Sequence, residues 1–151
     1  MRCRHCHAEL LQQFVDLGSA PPSNAYLSTA QLSAPEKWFP LRVLVCDVCW
    51  LVQTEDFAQA DELFDADYAY FSGFSASWID HCSDYVDMLV RRFGLGQGSH
   101  FIEVASNDGT LLQFAAKAGV RATGIEPTHA TAEAARSKGL TVVEQFLSGA
   151  S

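Results

Sequence analysis

From Ser75 onward the apolar positions fall into a helical rhythm: Trp78, Cys82, Tyr85, Val86, Leu89 and Phe93 recur at steps of three and four residues and share one face. Ser75 or Ser77 can cap the start of this helix, and Gly94 stops it. After the break GLGQGS the pattern alternates. FIEVAS, RATGIEP and LTVVEQF read as short strands, and TLLQFAAKAG and THATAEAARSKG between them read as helices ended by Gly119 and Gly139. Such a β-α-β-α-β order predicts a parallel sheet with right-handed crossovers. The first part of the chain is different. Residues 1–56 are rich in short β-like runs and turns, with LRVLVC and WLVQ as the arms of a hairpin around CDVC. Pro21-Pro22-Ser23-Asn24 and Pro35 mark loops. Residues 57–74 mix acids and aromatics without a clean period, which predicts a linking segment with some helix.

The expected organisation is therefore α/β: a small domain over 1–56, a linking segment and helix over 57–98, and the start of a doubly wound, Rossmann-like domain over 99–151. A doubly wound sheet binds its ligand between two halves, and only three of its strands are expected here, so the chain reads as an N-terminal fragment.

Composition narrows the partners. With 48% hydrophobic residues the chain can bury a core, and its formal net charge is -8. A surface of that sign repels phosphate backbones and anionic lipid, so neither nucleic acid nor membrane is the expected partner. No signal segment opens the sequence, and its longest apolar run, LRVLVCDVCWLV, is interrupted by Arg42 and Asp47. A cytoplasmic protein is expected; its oligomeric state is left open.

Four of the five cysteines form two Cys-x-x-Cys pairs, Cys3 with Cys6 and Cys46 with Cys49, separated by 39 residues. Two such turns brought together offer four thiolates in a tetrahedron, a closed structural site for Zn²⁺ with backbone N–H groups aimed at the sulfurs. The competing readings are free buried cysteines or a redox pair, and the latter needs only one Cys-x-x-Cys. His5 and His7 lie in or beside the first turn and read as neighbours of the site. Cys82, on the apolar helix face, reads as a core residue.

The stretch EVASNDG joins the first strand of the α/β part to its helix. Read against the pattern E/D-x-G-x-G-x-G, its positions are Glu103, Ala105, Asn107 and Gly109. A dinucleotide loop needs glycines because a pyrophosphate packs against the backbone and the helix N-terminus. S-adenosylmethionine has no phosphate, so a loop carrying Asn107 and Asp108 remains compatible with it. Asn also tolerates positive φ better than other non-glycine residues. Glu126, 17 residues after Gly109 and at the end of the second strand, can accept the hydroxyls of a ribose. A βαβ unit that binds nothing is the bland alternative.

Together, CRHC, FVDLGSAPPSNAYL, FPLRVLVCDVCWLVQ, ADELFDADYAYFSGFSASW, EVASNDGTLLQ and GIEPT resemble the zinc-containing, S-adenosylmethionine-dependent sugar C-methyltransferases. These enzymes act on nucleotide-linked 4-keto-6-deoxysugars, typically at C-3, in the making of branched deoxysugars. The resemblance implies that Cys3, Cys6, Cys46 and Cys49 hold zinc. It implies that Glu103, Ser106, Asn107, Asp108 and Gly109 form the cofactor loop, and that Glu126, with Pro127 beside it, meets the ribose. Phe71 and Ser72 would sit near the amino-acid end of the cofactor, and Tyr68 or Tyr70 would approach the sugar. Core packing with a satisfied hydroxyl is the other reading of those tyrosines. The family's histidine base would lie outside this sequence, so the chain alone is expected to have no turnover. Two residues depart from the family pattern: His7 stands at a usual glycine, and Gly73 stands where a second serine is common. The rival readings are a zinc-ribbon RNA methyltransferase, which the net charge disfavours, and a zinc-ribbon interaction module without activity.

Overall fold

The hairpin around CDVC forms because a β-branched run on each side brackets a tight turn: in the computed structural model, β2 (Phe39–Val45) pairs antiparallel with β3 (Val52–Thr54), Val45 opposite Val52. A longer strand, β1 (Gln12–Ala20), adds to the other side of β2, giving a three-stranded sheet in the order β1-β2-β3. Its pairing shifts register twice, between Gln13 and Val15 and between Asp16 and Ser19. The structure describes residues 1–58, 60–64 and 68–147. These divide into two units, Met1–Leu63 and Phe64–Ser151, and the division falls inside the expected linking segment. Of that segment, α1 (Ala60–Leu63) and a 3-10 turn at Ser72–Phe74 are described, while residues 59 and 65–67 lie outside the described residues.

The first unit has little apolar core. Cys3, Leu10 and Cys46 are buried together, with Cys6, Ala8, Leu44 and Cys49 packed against them. Ion pairs brace its surface, Arg4 with Asp56 and Arg42 with Glu55, both at 2.5 Å.

In the second unit the apolar period from Ser75 becomes α2 (Ala76–Phe93). The Ser75 hydroxyl accepts the Trp78 N–H at 3.3 Å, and Gly94 closes the helix at φ 61°. Only Cys82 and Val86 of the predicted face are buried; Trp78, Tyr85 and Phe93 remain exposed. The rings of Trp78, His81 and Tyr85 stack along the helix instead.

The alternating pattern becomes β4 (His100–Val104), α3 (Leu112–Lys117), β5 (Arg121–Ile125), α4 (His129–Ser137) and β6 (Thr141–Val143), with the strands parallel in the order β4-β5-β6. Leu112, Ala115, Val120, Ala132 and Ala135 form the buried packing around these elements. Val104 pairs with Ile125 and Ile125 with Val143, so the three carboxyl ends lie level and the loops that follow them converge. β4 is an edge strand among the described residues, and its Ile102 and Val104 are exposed. No helix among the described residues is long and apolar enough to cross a membrane.

Candidate metal centre and cofactor pocket

The two Cys-x-x-Cys turns are built alike. Within each, a backbone N–H returns to the carbonyl of the first cysteine: His7 to Cys3 and Trp50 to Cys46, both at 3.0 Å. To make that bond His7 and Trp50 adopt φ of 62° and 64°. His7, the departure from a usual glycine, thus takes the left-handed conformation a glycine would, and the turn keeps its shape. The four ligand sulfurs lie within 4.8 Å of one another. Amides converge on them: those of Cys6 and His5 on the Cys3 sulfur, Cys49 and Val48 on Cys46, Ala8 on Cys6, and Leu51 on Cys49.

One partner was not anticipated from the sequence. Gln53 is buried, donates from Nε2 to the Cys3 sulfur at 3.3 Å, and accepts the Arg4 N–H at 3.0 Å. The Cys6 N–H, followed by Gln53, brings the Cys3 thiol down to about 5. Cys49 accepts from the Leu51 N–H, yet burial and the sulfurs of Cys6 and Cys3 outweigh that bond and push it up to about 12. Four thiolates this close repel one another unless a cation neutralises them. A divalent ion that prefers four sulfurs in a tetrahedron removes the conflict, and these four cysteines fit Zn²⁺ with no position left for water. His5 and His7 are not in the cluster. The exposed group of His129, Glu133 and Glu144 is engaged differently, with Arg136 bridging the two glutamates at 2.6 and 2.8 Å.

At the carboxyl ends of β4 and β5 the loop residues Ala105, Asn107 and Gly109 have φ of 56°, 50° and 74°. These are the three positions of a G-x-G-x-G loop, and all three adopt the left-handed backbone although only one is glycine. Gly109 has a second constraint, since a Cβ there would lie 2.3 Å from a Leu140 methyl. The loop borders a pocket of about 520 Å³. Of the residues singled out in the sequence, Tyr68, Tyr70, Ser72, Glu103, Ser106, Asn107, Glu126 and Pro127 line it. Phe71, Asp108 and Gly109 do not; Phe71 packs edge-to-face on Phe74, centroids 6.4 Å apart. Trp78 and the segment 145–147 also line the pocket and escaped the sequence reading. Their only signal was position, at the start of α2 and just past the third strand.

The carboxylates of the pocket differ in how they are satisfied. Glu126 is 4% exposed; its Oε2 accepts the Asn107 N–H at 2.8 Å, and its Oε1 accepts both the N–H (3.0 Å) and the hydroxyl of Thr128. With two acceptor directions per oxygen, one on Oε2 stays open to a ligand. Among the described residues, two buried side-chain atoms, Glu103 Oε2 and Ser106 Oγ, have no hydrogen-bond partner. Burial, only partly offset by the Leu112 N–H and reinforced by the charges of Asp108 and Glu126, pushes the Glu103 carboxyl up to about 7.

A carboxyl raised in the fold binds more protons folded than unfolded, so its contribution falls as pH rises from about 4.5 through about 7. Glu103→Gln is accordingly expected to stabilise the second unit by ~2 kcal/mol at pH 8, after discounting for partial exposure. The difference should vanish near pH 4.5. Urea melts of both proteins at the two pH values test this, and a gap independent of pH would contradict a buried charge.

Comparison with known proteins places both units. A family model described as "Putative zinc binding domain" matches residues 3–64, the span that carries all four ligand cysteines. C-methyltransferase NovU of Streptomyces niveus is 33% identical over 141 residues, which is 93% of this chain and 33% of that protein. The chain therefore spans about a third of the length of the curated relative it matches. The likeness to a C-methyltransferase therefore covers the sulfur cluster and continues across the parallel sheet.

Proposed function

We propose that the pocket at the ends of β4 and β5 binds S-adenosylmethionine, and that the chain serves a methyltransferase acting on carbon, at C-3 of a nucleotide-linked 4-keto-6-deoxysugar. The observation that carries this reading is the loop of three left-handed residues facing a buried carboxylate, Glu126, with one acceptor direction free. Positions 105 and 107 are not glycine, unlike a loop that packs a pyrophosphate against its backbone, which favours a phosphate-free adenosyl ligand. A volume of about 520 Å³ suits a ligand of that size. The exposed edge and face of β4 are where a doubly wound sheet would continue into its second half.

In this reading Glu126 takes a ribose hydroxyl, and the unpartnered atoms Glu103 Oε2 and Ser106 Oγ face the cationic amino-acid end. The bound cofactor supplies an electrophilic methyl group. On the acceptor, the C-4 ketone acidifies the C-3 proton; its removal by a base leaves an enolate whose carbon is the nucleophile. Tyr68 or Tyr70, both in the lining, would donate to the enolate oxygen. Zinc has a structural part only, since four sulfurs leave it no open face. The net charge of -8 disfavours RNA as the acceptor and anionic lipid as a partner.

Titrating S-adenosylhomocysteine into the zinc-loaded protein should shift the amides of Ser106, Asn107 and Glu126 saturably, and NAD should not. Equal shifts with NAD, or a pocket whose amides stay still, would refute the cofactor assignment. For the acceptor, protein expressed from its complete coding sequence should methylate a nucleotide-linked 4-ketosugar and leave RNA unmodified.

A further inference from the structure

Ser106 and Asn107 of the SNDG loop line the pocket, but the side chains of Asn107 and Asp108 bond to a different segment. The Asn107 amide straddles Phe71: Nδ2 donates to the Tyr70 carbonyl at 2.9 Å, and Oδ1 accepts the Ser72 N–H at 2.9 Å. Asp108, 5% exposed, takes the next groups along. Its Oδ1 accepts the Ser72 hydroxyl at 2.9 Å and its Oδ2 the Gly73 N–H at 3.2 Å. Thr110 and Lys138 hold Asp108 in turn, the hydroxyl at 2.6 Å and the Nζ at 3.2 Å.

The segment Tyr70–Gly73 thus receives from two side chains the bonding that a neighbouring strand would otherwise provide. Its approach is close: a Cβ at Gly73 would lie 2.6 Å from Asp108 Oδ2, so the serine common at this position in the family would have to displace the carboxylate. Tyr70 and Ser72 line the pocket, whereas Asp108 does not. Asn107 meanwhile spends its backbone N–H on Glu126. A glycine at 107 would supply the left-handed φ; asparagine supplies it and also grips the segment.

We propose that Asn107 and Asp108 are positioning residues for the acceptor side of the reaction, holding Tyr70 at the pocket through the segment Tyr70–Gly73, while the Asn107 backbone alone serves the cofactor side. The inference rests on the methyltransferase reading above and assigns these side chains away from the cofactor.

Asn107→Gly is the discriminating variant, because it keeps the left-handed backbone and the N–H to Glu126 and removes only the grip. The Ser72 and Gly73 amides should exchange about tenfold faster or more, while affinity for S-adenosylhomocysteine stays within about threefold. In protein from the complete coding sequence, kcat with a nucleotide-linked 4-ketosugar should fall about tenfold or more and KM for S-adenosylmethionine stay within about threefold. Asp108→Asn, which turns one of the two accepting oxygens into a donor and loses the charge facing Lys138, should lower kcat in the same direction. If cofactor affinity collapses while Ser72 and Gly73 stay protected, the side chain is a cofactor ligand and the proposal is wrong. Faster exchange with unchanged kcat also overturns it. Wild-type protein that binds no S-adenosylhomocysteine overturns the methyltransferase reading of the pocket instead, and the exchange contrast then still reports whether the grip exists.

Discussion

Removing zinc with a chelator is expected to unfold the unit Met1–Leu63, and Cys46→Ser is expected to do the same with metal present. The reason is the composition of that unit's interior. Among the described residues its buried apolar residues are Cys3, Leu10 and Cys46, and the partly buried residues packed on them include the other two ligand cysteines, so the sulfur cluster is the core. Phe14, Leu17, Trp38 and Trp50 are all exposed and add nothing to it. A structural zinc site supplies ~10–16 kcal/mol of apparent folding free energy, far more than the whole net stability of a typical small domain. Without the ion, up to four sulfurs must be accommodated as thiols or repelling thiolates in the same small space. Amide NMR of the first unit checks this: dispersed signals should collapse on chelation and return with Zn²⁺. Cys82→Ser is the control, since Cys82 lies buried on α2 away from the ligand set, and metal stoichiometry should be untouched. Persistence of the dispersed spectrum in metal-free protein would show that the sheet carries its own stability.

What the sequence made legible follows from where each constraint is local. The helix α2 and the alternation β4 to β6 could be read because apolar period, capping serine and terminating glycine coincide within each element. The ligand cysteines could be read because each pair lies in one turn. β1 could not, because its two register shifts destroy the period-two pattern and leave Phe14 and Leu17 facing out. Gln53 is separated from Cys3 by the length of the unit and meets it only when β3 pairs with β2. In the pocket the sequence indicated tolerance of positive φ at Asn107, which takes it as Gly109 does, but gave no sign that Ala105 would take it too. It carried no information on which way Asn107 and Asp108 point, since that depends on residues more than thirty positions earlier. The segment 145–147 reaches the pocket through the register of β6 on β5, a tertiary fact with no local signal.

Gly124 is the position where a single methyl group should do the most damage to the second unit. A Cβ there would lie 2.3 Å from Ser106 Oγ, 2.8 Å from Ser106 Cβ and 3.1 Å from a Leu112 methyl. Rotating the serine hydroxyl relieves the first contact and leaves the second. Neither neighbour can retreat, because Ser106 is 2% exposed and Leu112 is fully buried. Nor can β5 step aside, since Gly124 pairs with Glu103 on one side and Val142 on the other. Gly124→Ala is expected to cost ~3 kcal/mol, the upper part of the overpacking range, because the contact is with atoms fixed near the backbone. The displaced atom belongs to the pocket loop, so affinity for S-adenosylhomocysteine should drop about tenfold or more in the protein that still folds. Ser106→Gly, which removes both clashing atoms, should rescue most of the loss when combined with Gly124→Ala, giving a coupling of ~1–3 kcal/mol in a double-mutant cycle. Gly96→Ala, with no atom within 4 Å of its added carbon, should change stability by ~0.5 kcal/mol at most. Strict additivity between positions 124 and 106 would mean that the strand's glycine answers some demand other than room for Ser106, and the packing account of the loop would have to be abandoned.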